Sequence, residues 1–192
     1  MQGLKIVVAM CGSFCTFEQV MPQIQSLVEK GANILPMMSQ NAAQMDTKFG
    51  KAENWKNTLE EITGKKILQT IQQAEPLGPK NLADLMVIAP CTGNTMAKLS
   101  AGITDGCVTM AAKSMLRGGK PVVIALSTND GLAAAARNIG DLLNRKQYYF
   151  VPFGQDDYKQ KPRSLQADFE KLEQTIQMAL QGIQIQPVLF QK

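Results

Sequence analysis

Residues 89–105, Ala-Pro-Cys-Thr-Gly-Asn-Thr-Met-Ala-Lys-Leu-Ser-Ala-Gly-Ile-Thr-Asp, hold the densest group of side chains able to do chemistry in this chain. They follow the apolar run 85–89, so the stretch reads as a strand end turning into a helix, with Pro90 stopping the strand. Thr92, Asn94 and Thr95 place hydroxyl and amide groups on the first turn of that helix, where backbone N–H groups lack intrahelical partners. Such a turn suits an anion or the polar edge of a heterocycle. It suits an ordinary N-cap equally well, and the segment alone leaves both readings open.

Two more turns of the same character stand at strand ends. Met10-Cys11-Gly12-Ser13 follows the apolar run 4–9, and the run 122–126 ends in Ser127-Thr128-Asn129-Asp130-Gly131. In an open α/β sheet the crevice at the carboxyl ends of the strands is where ligands bind. Gly12 is the only glycine between residues 10 and 30, and the strand at 33–38 ends in Ser39 where a ribose-binding acid would stand. A dinucleotide in the usual pose is therefore not expected. A mononucleotide phosphate fits better, on the N–H groups and hydroxyl of Gly12 and Ser13 with Ser39 closing from the second strand.

The chain has no histidine. That removes Ser-His-Asp and Cys-His nucleophilic machinery and any histidine-ligated metal centre. Cys11, Cys15, Cys91 and Cys107 have neither zinc-ribbon nor Cys-x-x-Cys spacing, so reduced, mostly buried thiols are expected and no metal site. Asn129 has two readings, a donor to a substrate carboxylate or part of an Asn-Asp-Gly capping turn. Lys98 and Lys113 read as surface charges or as residues facing a neighbouring subunit, and Asp105 and Thr109 as residues orienting the helix pair after the motif.

The elements that position these residues alternate between two periods. Continuous apolar runs at 4–9, 33–38, 85–89, 121–127 and 148–152 read as buried strands of a parallel sheet. Between them, 3-4 spacing of apolar residues predicts helices: Phe17, Val20, Met21, Ile24, Leu27 and Val28 after a cap at Thr16, a short one over 42–45, then 51–63, 106–116 and 132–143. Residues 66–74 fit helix or strand, 75–79 a loop, 157–162 another loop, and 165–180 a terminal amphipathic helix. The single tryptophan, Trp55, reads as packing. Strands alternating with helices predict an α/β fold with helices on both sheet faces.

At 192 residues, 45% hydrophobic and 19% charged, the chain fits one globular domain over 1–192 with a helix and tail from about 163. The net charge of +4 comes from scattered Lys and Arg without interleaved aromatics, so nucleic acid is a poor partner. No apolar run reaches the ~18–20 residues of a membrane helix, and no secretory signal opens the chain, so no membrane association and a cytoplasmic location are expected. The eleven methionines and the apolar segment 183–190 offer either surface for self-association or core.

Gly12-Ser13-Phe14-Cys15-Thr16, Ser39-Gln40-Asn41-Ala42, residues 89–105 and Ser127-Thr128-Asn129-Asp130-Gly131 together resemble the flavoprotein family of homo-oligomeric flavin-containing cysteine decarboxylases, which includes the flavin prenyltransferases. The resemblance spans about residues 4–152. It implies a three-layer α/β/α Rossmann-like fold with a six-stranded, mostly parallel sheet in the order 3-2-1-4-5-6. It implies FMN, with phosphate and ribityl at Gly12, Ser13 and Ser39 and the ring against Pro90, Thr92, Asn94 and Thr95, and a third contact loop at Ser127 and Asn129. The decarboxylases' histidine is absent and only the asparagine of their Pro-x-Met-Asn-x-x-Met survives, as Asn129, so decarboxylation is not expected. No glutamate stands at the turn where the prenyltransferases carry Pro-Arg-Glu. The branch matched best implies an oxidoreductase subunit of spore-forming bacteria, acting on a small cyclic dicarboxylate. There a separate Rossmann subunit holds NADP, and the chain self-associates in trimers. A non-catalytic partner that keeps the fold and a flavin prenyltransferase are the alternatives, and no catalytic residue is assigned.

Overall fold

The computed structural model describes residues 1–190; the last two residues of the expected 1–192 unit lie outside them. In chain order the elements are β1 (Lys5–Met10), α1 (Phe17–Glu29), β2 (Asn33–Met38), α2 (Gln40–Gln44), α3 (Ala52–Thr63), α4 (Ile71–Ala74) and β3 (Leu85–Cys91). There follow α5 (Gly93–Ala101), α6 (Cys107–Arg117), β4 (Val122–Thr128), α7 (Ala136–Asn144), β5 (Tyr148–Phe150), β6 (Phe153–Gly154), β7 (Leu165–Ala167) and α8 (Leu172–Leu180).

The apolar runs become the strands, and β3 is buried along its whole length. β1 pairs in parallel with β2 and β3, β3 with β4, and β4 with β5. Leu68 adds a parallel bridge to Met37 outside β2. The parallel part runs β2-β1-β3-β4-β5, which matches the 2-1-4-5-6 stretch of the order the resemblance implies; where that order has its third strand there is only the single-residue bridge of Leu68. The sheet is larger than the six strands expected, because β7 pairs antiparallel with Ser127 and Thr128 at the end of β4, and β6 pairs with β7.

Four expectations are corrected locally, each for a physical reason. Pro90 does not stop its strand. The β3–β4 register shifts between Ile88 and Cys91, so no ladder N–H is demanded of the proline, and its carbonyl accepts the Cys11 N–H at 3.1 Å. Thr16 does not cap α1, since its hydroxyl donates back to the Ser13 carbonyl at 2.9 Å. Residues 132–135 are turn and not helix, held by the Asp130 carbonyl, which accepts from Ala133 and Ala135 N–H. Residues 165–167 are strand, with Leu165 and Ala167 inward at period two; Asp168 then caps the 3-10 turn that leads into α8.

The core lies between sheet and helices, with Phe17, Ile24, Leu27, Phe150 and Leu59 fully enclosed. Trp55 packs edge-on against Phe17, ring centroids 5.4 Å apart at 82°. In the terminal segment Ile185 is buried while Ile183 and Leu189 are exposed. It lies along β6, where Phe153 N–H donates to the Val188 carbonyl at 2.9 Å. Among the described residues no helix is long and apolar enough to cross a membrane.

Candidate functional site

The carboxyl ends of β1, β2 and β3 open into one cleft of about 760 Å³. Gly12 reaches it from β1, Ser39 from β2, and Thr92, Asn94 and Thr95 from the β3–α5 turn. Three strand ends that are far apart in sequence therefore meet, as parallel pairing in this order requires. Phe14, Met45, Ile71 and Val108 supply apolar wall, and Gln40, Asn41, Gln44 and Gln69 line the far side with carboxamides.

The hydroxyls are not equivalent. Thr92 caps α5, its Oγ1 accepting the Thr95 N–H at 3.2 Å. Thr95 Oγ1 lies 3.0 Å from Thr92 Oγ1 and donates to Cys11 Sγ at 3.3 Å, so both threonine protons are directed into the protein and the pair offers acceptors. Ser39 caps α2 as an acceptor, Ala42 N–H to Oγ 3.3 Å, which leaves its own O–H free to donate into the cleft. Asn94 is exposed on the first turn of α5 with a complete amide. Donors come from Ser39 and the carboxamides; acceptors come from the threonines.

The remaining expected site residues, Ser13, Pro90, Ser127 and Asn129, are not among the residues that line the cleft. Ser13 Oγ is 2.8 Å from Ser127 Oγ and donates to the Ser127 carbonyl at 3.2 Å, joining the β1 turn to the end of β4. Ser127 and Pro90 are buried, and Asn129 is exposed on the β4–α7 turn. That turn lies against α5: a Cβ on Gly93 would sit 2.8 Å from Thr128 Oγ1 and 2.9 Å from Asp130 Oδ1. The positive end of α5 thus already has a carboxylate of its own chain beside it, which favours a neutral polar edge there over a second anion.

Lys98 and Asp105, read as surface and orienting residues, are the only charged side chains lining the cleft among the described residues. They pair with each other, Nζ to the two carboxylate oxygens at 3.0 and 2.8 Å, which holds the Asp105 carboxyl below the usual range. The signal for Lys98 was its position four residues after Asn94, on the same helix face. Burial pushes the Cys11 thiol up to about 11 and the Cys91 and Cys107 thiols upward, so all three are protonated at neutral pH. Cys107 lines the cleft, but its thiol donates to the Met38 carbonyl at 3.1 Å. Cys15 is free and exposed. The cleft therefore offers neutral donors and acceptors, and among the described residues it holds no unpaired acid or base.

A sheet of this order with its cleft at the carboxyl strand ends is a flavoprotein architecture, and residues 1–154 match the Flavoprotein family, to which the chain belongs. It is 44% identical over 191 residues to the B subunit of dipicolinate synthase from Bacillus subtilis (strain 168), covering 100% of this chain and 96% of that one. The crystal structure of the dipicolinate synthase B subunit from Bacillus halodurans superposes with a TM-score of 0.91 at 46% identity, covering 100% of this chain and 98% of that one. The FMN-dependent cysteine decarboxylase SpaF shares the fold, with a TM-score of 0.69 at 23% identity over 92% of this chain and 97% of that one.

Proposed function

We propose that this chain acts, as one domain, as the B subunit of a dipicolinate synthase in the mother-cell cytoplasm of a sporulating bacterium. Its partner is a separate A subunit of Rossmann type that carries NADP. Together they would oxidise a dihydrodipicolinate to pyridine-2,6-dicarboxylate: the ring gives up two electrons and two protons and becomes aromatic, the electrons and one proton ending on NADP⁺ as NADPH and the other proton in solvent. The observation that carries this reading is the meeting of Gly12, Ser39 and Thr95 in one cleft, in a chain alike over its whole length to dipicolinate synthase B subunits.

The donor set fits FMN. Its volume and apolar walls accept a planar ring system, and its uncharged amides and hydroxyls match a pyrimidine-like edge. Gly12 and Ser39 would hold the phosphate and ribityl chain and Thr92, Asn94 and Thr95 the ring edge, with Pro90, Ser127 and Asn129 flanking; Ser13, whose N–H donates to the Cys11 carbonyl and whose hydroxyl donates to the Ser127 carbonyl, would act by fixing the β1 turn. When bound, a flavin supplies a two-electron acceptor. The chain's own part is to bind and orient, with Phe14 and Ile71 excluding water. Self-association in trimers belongs to the same reading.

A second reading is favoured by one observation, the lack of an unpaired acid or base in the cleft among the described residues. In it the chain is a non-catalytic partner that completes the A subunit's site. The test of both is dipicolinate formation by the purified A subunit with NADP⁺, with and without this chain. Addition of the chain is expected to raise the rate. Full rate from the A subunit alone contradicts both readings, and a rate that needs the chain but not FMN selects the second.

A further inference from the structure

A second groove of about 650 Å³ runs between α5 and α7 and shares Asn94 and Lys98 with the cleft. On the α5 side Ala97 and Ala101 leave its wall low, so a small molecule anchored at Asn94 can extend into it. The α7 side presents Arg137, Asn138 and Asp141.

Its charges are unequally engaged. Asp141 is held by Arg145 at 2.8 Å and by the Ser100 hydroxyl at 2.7 Å, and Lys98 is held by Asp105. Arg137 takes part in none of the six ion pairs found among the described residues. It is also the second residue of α7, whose first turn contains no acid, so the guanidinium and the positive end of the helix reinforce one another. A cation at that end is unfavourable unless an anion joins it. The planar guanidinium is itself a fork matched to a carboxylate, and Asn138 lines the same groove.

We propose that Arg137 is a carboxylate-recognition residue: the groove receives one carboxylate of a planar diacid whose ring lies at the Asn94–Lys98 junction with the cleft. This rests on the dicarboxylate substrate of the function proposed above. It assigns the selection of a diacid over a monoacid to α7, an element outside the cleft.

The test is calorimetric binding of pyridine-2,6-dicarboxylate, pyridine-2-carboxylate and inorganic phosphate to the full-length chain and to Arg137→Gln and Arg137→Lys, with gel filtration and the A-subunit rate assay beside it. The wild-type chain is expected to prefer the diacid to the monoacid, and Arg137→Gln to lose roughly 10- to 100-fold for the diacid alone. Arg137→Lys should restore part of that loss, and FMN titration should give the same affinity in all three. Equal diacid affinity in wild type and Arg137→Gln overturns the assignment, as does an equal loss for diacid and monoacid. Phosphate binding as strong as the diacid would overturn it in favour of an unselective anion site. A changed oligomeric state without changed binding would overturn it in favour of a second copy of the chain in the groove. Failure of the chain to raise the A-subunit rate would instead remove the function on which the proposal rests, so the two failures are separable.

Discussion

At the scale of single residues, the division of labour between hydroxyls decides what the cleft can hold. Thr92 and Thr95 point their protons inward, toward each other and toward Cys11 Sγ, while Ser39 and Asn94 keep donors for a guest. Residue types were legible in the sequence; proton directions were not, because they depend on Cys11, which lies 84 positions from Thr95. The same thiol gives a pH prediction. Cys11 is raised from 9.0 to about 11, so between those values the unfolded chain releases a proton that the folded chain keeps. The unfolded state then binds fewer protons, and stability falls as pH rises. Its contribution, about 2–3 kcal/mol from a two-unit shift, is complete below pH 9 and lost as pH climbs through 11. Urea midpoints are expected to be flat from about pH 7 to 9 and to fall from about 9 to 11, less steeply in Cys11→Ala. An identical slope in both proteins would contradict the assignment, the remaining slope including that of Cys91, Cys107 and Tyr148, which burial also raises.

At the scale of elements, the close approach of the β4–α7 turn to α5 is what brings Asp130 to the first turn of that helix. Gly93 permits it, since any Cβ there would meet Thr128 and Asp130 at under 3 Å. Gly93→Ala is expected to lower stability by about 1–3 kcal/mol through forced displacement and to weaken ligand binding at Asn94, read by chemical denaturation and by FMN titration. Unchanged values in both would mean the turn yields freely. Strands and most helices were legible because buried parallel strands and amphipathic helices leave distinct periods. The misread segments were those where a local pattern has two solutions. Leu165 suits a helix face as well as an inward strand position, and residues 132–135 are alanine-rich yet are claimed by the Asp130 carbonyl. Because the start of α7 was misplaced, Arg137 carried no sequence signal as a groove residue.

At the scale of the whole molecule, the parallel path from the Leu68 bridge to β5 gathers the ends of β1, β2 and β3 at one edge, and the cleft follows from that topology. The order of strands came from resemblance, since periodicity identifies strands without ranking them. The antiparallel β6–β7 pair went unseen because two- and three-residue strands are too short to show alternation. The most direct measurement is FMN titration of the wild-type chain, Ser39→Ala and Asn94→Ala, followed by quenching of Trp55, which packs on Phe17 and so on Phe14 at the cleft wall. Saturable binding at one FMN per chain is expected, weakened roughly 10-fold or more in each variant while the fold is retained. Absence of binding to the wild-type chain, or equal affinity in all three proteins, would contradict the reading of this cleft as a flavin site.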